Sequence, residues 1–148
     1  MSRREMEEKI LVALRKKMEQ MNEYDVHCKE EADKCFAEAK ELEANGNLGM
    51  WGSDGKIHEA KWHLSFQYHG YAFLTDWKNV ISGVMFGRVY HEWHSAQAGL
   101  RKGEGHGAYI TSELSDDECI VINKVFDGLV KHGYLRLSKS QKMATFKG

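Results

Sequence analysis

The chain has no proline among its 148 residues, so nothing in it forces a helix to kink or break and long uninterrupted helices are permitted. Its three cysteines, Cys28, Cys35 and Cys119, form an odd set with no Cys-x-x-Cys pair. That pattern excludes a disulfide framework and indicates no cysteine zinc site, so the thiols read as reduced, buried small hydrophobes. No apolar run approaches the roughly 18 to 20 residues that a membrane span needs, and MSRREMEEKI has no apolar signal core. A cytoplasmic protein without a membrane partner is the expectation. Charge of one sign is also lacking, with 21 Lys and Arg against 22 Asp and Glu, so the chain as a whole has no field that would draw in nucleic acid. No Gly-x-Ser-x-Gly elbow, paired carboxylates or His-Glu-x-x-His occur, and no cofactor is expected.

The residues that are present suggest an α-dominant α+β protein. Ser2 and Glu5 have the spacing of a capping box, so a helix should begin there. Leu11, Leu14, Met18, Met21, Cys28, Ala32, Cys35, Ala39 and Leu42 then recur at heptad spacing, with Asp25 as the break and Asn45-Gly46 as the stop. One reading is a coiled-coil-like helix over 1–46 that forms a homodimer, with Asp25 selecting register and Leu11, Leu14, Met18 and Met21 at the interface. The other is a helical hairpin turning near Asn22 to Asp25. The absence of Gly or Pro at that turn favours the continuous helix.

Residues 47–148 read as a compact helical domain. Asn45 to Gly55 holds four glycines and reads as a linker, after which Ser53 or Asp54 can cap a second helix. Between Lys56 and Leu74 two periods compete. Trp62, Leu64, Phe66 and Tyr68 alternate as a strand would, while cap and length favour helix. A third helix is expected from Asp76 to about Ala98, with Gly83 and Gly87 offering a face for a close neighbour. The glycine-rich loop Leu100 to Gly107 lacks the strand and helix context of a phosphate loop.

At the C-terminus, Tyr109 to Thr111 reads as a strand and Ser115-Asp116-Asp117-Glu118 as a second capping box. A helix through Ile122, Val125, Phe126 and Leu129 follows, then a hairpin of Tyr134 to Leu137 and Met143 to Phe146. The stretch NKVFDGLVKHGYLRLSKSQKMATF resembles the recognition helix and wing of the winged-helix family. Between Thr111 and Gly133 there is room for one helix, where a full winged helix places two. The helix has Lys124 and Lys131 as its cations beside Glu118 and Asp127. The resemblance therefore implies phosphate contact through the hairpin, by Lys131, Arg136, Lys139, Lys142 and Lys147, a segment with no acid.

Eight histidines are many for this length, and six lie between His58 and His106. His91 and His94, three apart, would share one helix face, and Glu59, His63 and His69 are further candidate metal ligands. The aromatics, among them Trp51 in a glycine-rich loop, suit a protein contact. Three functions follow as expectations. The first is a non-enzymatic homodimeric regulator that binds DNA or RNA through the basic hairpin. The second is a protein-binding inhibitor or adaptor acting on a nucleic-acid-processing enzyme, and the third a histidine-based metalloenzyme.

Overall fold

The computed structural model describes residues 2–95 and 108–148, with the side chains of 93–95, 108 and 109 outside that description. The loop expected over Leu100 to Gly107 lies outside the described residues. Helices dominate, and none among the described residues is long and apolar enough to cross a membrane.

Helix α1 runs unbroken over Arg3–Ala44, 42 residues. The Glu5 N–H donates to Ser2 Oγ at 3.1 Å at its start. At its end Gly46 takes a φ of +80°, and the Asn47 N–H reaches back to the Leu42 carbonyl at 2.8 Å. Glycine fits this left-handed position without steric cost, which is why the helix stops there. Ile10, Leu14, Met21, Cys28, Ala32, Cys35 and Ala39 form its buried stripe. The stripe follows the heptad spacing, with Ile10 buried where the pattern suggested Leu11, which is half-buried.

The chain divides into two compact units, residues 18–70 and residues 1–17 with 71–148. One division falls inside α1, away from the 45–55 segment. In the 18–70 unit, α2 (Ser53–Ser65) folds back antiparallel along α1. Ala32 and Ala60 are fully buried where the helices meet, and Phe36 and Leu64 flank them. The connection is a tight turn and not a loose linker. The Gly49 carbonyl accepts from the N–H groups of Gly52, Asp54 and Gly55 at 3.0–3.2 Å. A Cβ on Gly55 would lie 2.0 Å from the Met50 carbonyl oxygen, so a side chain there would collide with backbone. The N-cap is Gly52 with no side-chain bond, so neither Ser53 nor Asp54 caps the helix. Trp62 to Ser65 are helical, which settles the competing periods as far as Ser65, and the chain then turns through His69 (φ +54°) and Gly70 (φ +86°).

Asp25 holds that turn. Its carboxylate accepts from the Tyr68 N–H at 2.6 Å and the His69 N–H at 2.8 Å, while Gln67 Nε2 donates to its carbonyl oxygen at 2.8 Å. The polar break in the heptad stripe thus finds its partners in the chain's own turn.

In the other unit, β1 (Ala72–Phe73) leads into α3 (Leu74–Met85), followed by β2 (Glu92–Ser95) and β3 (Ala108–Thr111), then α4 (Asp116–Lys131), β4 (Leu135–Leu137) and β5 (Met143–Phe146). Helix α3 stops well short of Ala98. Gly87 turns the chain at φ +66°, the Ser82 hydroxyl donates to the Arg88 carbonyl at 2.6 Å, and Asn79 exchanges two hydrogen bonds with the backbone of His91. Nothing lies within 4 Å of a Cβ built on Gly83 or Gly87, so they mark no close helix contact. Strands β2 and β3 pair antiparallel with each other. The hairpin β4–β5 is joined instead by β1, giving a three-stranded antiparallel sheet in the order β1-β5-β4.

Candidate nucleic-acid interface

The C-terminal module is built on local rules. Ser115 and Glu118 close a full capping box at the start of α4, each side chain accepting from the other's backbone N–H. The apolar side chains Ile122, Phe126 and Leu129 bury one face of the helix. At its end the Tyr134 N–H returns to the Leu129 carbonyl and Gly133 takes a φ of +83°.

The hairpin turn is held by its serines. The Met143 N–H donates to Ser138 Oγ at 3.2 Å, the Lys142 N–H to Ser140 Oγ at 3.4 Å, and the two hydroxyls lie 3.2 Å apart. Gln141 takes a φ of +60° between them. With the serines occupied inside the turn, Lys139 and Lys142 are left exposed. Arg136 points out from β4 while Leu135 beside it is buried, and Lys131 and Lys147 are also exposed. All five cations read from the sequence are therefore accessible. Lys131 in the last turn of α4 also meets the negative end of the helix dipole.

Two helices stand ahead of the hairpin. Helix α3 precedes α4, with the β2–β3 strand pair inserted between them. The strand that joins the wing is β1, whereas Tyr109 to Thr111 belong to the insertion. The order in this unit is thus strand, helix, two-stranded insertion, helix and hairpin.

Helix α4 exposes Asp116, Asp117, Ile120, Val121, Lys124, Asp127 and Lys131. Glu118 is not a free acid on it, because its carboxylate bonds the Ser115 N–H and pairs with the Arg88 guanidinium. The Ser115 backbone, and then Arg88, hold Glu118 below the usual carboxylate range. Lys124 borders a cleft of about 430 Å³ with Arg3 and Glu7 of α1 and His132. A face that mixes acids and aliphatics gives little attraction to phosphate.

The other candidate residues fall elsewhere. Leu14 and Met21 are 0% and 2% exposed in a single chain, and Leu11 and Met18 are half-buried. Trp51 is fully exposed in the turn between α1 and α2, together with Leu48 and Met50. His91 and His94 do not share a helix face, since His94 stands in β2 and His91 just before it. Burial and the nearby Lys78 ammonium push the His91 imidazole below its ordinary range, which disfavours its charged form. His69 is exposed, and its N–H bonds Asp25. Among the described residues, the potential metal ligands that come together are Glu59 and His63 with Cys35, all within 4.8 Å of one another. The sequence reading missed Cys35 because the heptad pattern explains its position as packing.

Compared with protein-family models, with curated proteins and with solved structures, the chain finds no match.

Proposed function

We propose that the protein is a small non-enzymatic regulator that binds nucleic acid through its winged-helix-like unit, with the basic hairpin on the phosphates. The observation that carries this reading is the hairpin itself. Lys139 and Lys142 are exposed on a turn closed by Ser138 and Ser140, on a sheet that also anchors the helix pair α3 and α4. Phosphate contacts by Lys131, Arg136, Lys139, Lys142 and Lys147 give affinity without sequence information, and the exposed residues of α4 lie beside them in the chain to meet base edges or a groove wall. A homodimer would place two such units on one nucleic acid. Its interface would have to lie outside Leu14 and Met21, which a single chain already buries.

The test is fluorescence anisotropy of labelled duplex DNA, single-stranded DNA and RNA across a salt series, with sedimentation of the same samples. Affinity that falls linearly in log salt supports the reading. No binding to any of the three at low salt overturns it.

A second reading, a protein-binding adaptor, is favoured by the exposed Leu48, Met50 and Trp51 in the α1–α2 turn. Partner capture that survives reversal of the hairpin lysines and is lost in Trp51→Ala would favour it.

A further inference from the structure

We propose that Cys35, Glu59 and His63 bind a zinc-class divalent cation that ties α1 to α2 within the 18–70 unit. The inference is independent of the nucleic-acid reading and uses none of its residues.

Three features bring the donors together. Glu59 and His63 are four apart on α2 and share a face. Cys35 faces them from α1, beside the fully buried Ala32 and Ala60, so that its short thiol reaches the donors of α2. A Leu at either alanine would hold the helices apart. The three donor atoms lie within 4.8 Å of one another. Tetrahedral donors at zinc bond lengths of about 2.0–2.3 Å stand about 3.3–3.8 Å apart, so a shift of roughly 1 Å in the Glu59 and His63 side chains closes the set. Both have room to move, since Glu59 is exposed and His63 half-buried.

The donor chemistry selects the cation. A thiolate, an imidazole and a carboxylate suit zinc and its neighbours, whereas magnesium and calcium take oxygen ligands. Three protein ligands leave a fourth position on the solvent side for water. Phe36 and Leu64 pack against the buried cluster that includes Cys35, so the cation would sit at the margin of an apolar contact.

The carboxylate of this set already holds a positive charge. Lys56 Nζ lies 3.3 Å from Glu59 and 2.8 Å from Glu38. A divalent ion takes the place of the ammonium at Glu59, and Glu38 retains Lys56, so the exchange strands no charge. Burial, and then the Glu59 carboxylate with Glu38 and Glu31, push the Cys35 thiol above its ordinary value, and the same carboxylates make its surroundings attractive to a cation. Coordination converts that thiol to thiolate, with the proton released to solvent.

The experiment is a cobalt(II) titration of the full-length, untagged, metal-stripped protein under a non-chelating reductant, read by absorption. The expected result is one cobalt per chain, with visible ligand-field bands, a near-ultraviolet thiolate-to-cobalt band, and displacement by zinc. Cys35→Ser removes the thiolate band, and His63→Gln and Glu59→Gln weaken binding on the order of tenfold or more. Cys28→Ser and His58→Gln change neither. His63→Gln is the safeguard should Cys35→Ser fail to fold, because His63 is not a core residue. Zinc also raises the thermal midpoint of the wild type and not that of His63→Gln. No thiolate band at saturating cobalt, or a band that survives Cys35→Ser or disappears with Cys28→Ser, overturns the proposal.

Discussion

The indole N–H of Trp77 donates to the carbonyl oxygen of Ala144 at 2.7 Å, a buried bond spanning 67 positions of sequence. It ties α3 to β5, the central strand of the three-stranded sheet. Ala144 is at the same time paired with Ala72 on one side and Leu137 on the other. Strand β5 is thus held from three directions.

Removing this clasp should be costly. Trp77→Phe keeps most of the ring volume but leaves the Ala144 carbonyl without its indole donor, an expected loss of about 1–3 kcal/mol. Trp77→Ala adds a cavity, for a loss of about 3–5 kcal/mol. Urea unfolding with an unchanged slope checks both values.

Asp25→Ala should loosen the segment after α2. Two backbone N–H groups, of Tyr68 and His69, lose their acceptor. The expected cost is about 1–3 kcal/mol, with faster amide hydrogen exchange at those two positions and little change in α4. Unaltered exchange at Tyr68 and His69 would contradict the role assigned to Asp25.

Glu118 sets a pH dependence of known sign. Its carboxyl is held below the value of about 4.5 expected of it when unfolded, first by the Ser115 backbone and then by Arg88. A depressed acid favours the folded state above its unfolded pKa, and that contribution disappears as pH falls through the lower folded value. Wild-type stability should therefore drop more steeply below pH 4.5 than that of Glu118→Gln, in thermal melts taken from neutral to acidic pH.

Lys139→Glu together with Lys142→Glu should weaken nucleic-acid binding similarly for all sequences and reduce its log–log salt slope by roughly 2, as for two lost phosphate contacts. Both residues are exposed, so the fold should keep its circular dichroism and melting behaviour. Lys29→Glu on the same protein is the control, because Lys29 is exposed on α1 and engaged with Asp33.

The helix starts at Ser2 and Ser115, the stops at Gly46 and Gly133, the buried heptad stripe of α1 and the wing hairpin were all legible in the residues. Each depends on bonds or periods that close within a few positions. The end of α3 was not legible, because Trp77 through Trp93 is apolar on every side and no periodicity marks where Gly87 turns the chain. Asp25 read as a register residue because the donors to its carboxylate, the backbone N–H groups of Tyr68 and His69, lie in a turn that has no sequence signature of its own.

By itself, then, the sequence determined the long helix, the capped α4 and the basic, acid-free hairpin, since caps, glycine conformations and heptads are local. Tertiary structure alone decided that the two residues of β1 complete the three-stranded sheet, that α3 stands beside α4, and that Cys35 comes within 4.8 Å of Glu59 and His63. Those relations join residues far apart in the chain through burial and backbone pairing. Such pairings are selected by how well surfaces fit once the chain has folded, and no spacing along the sequence records them.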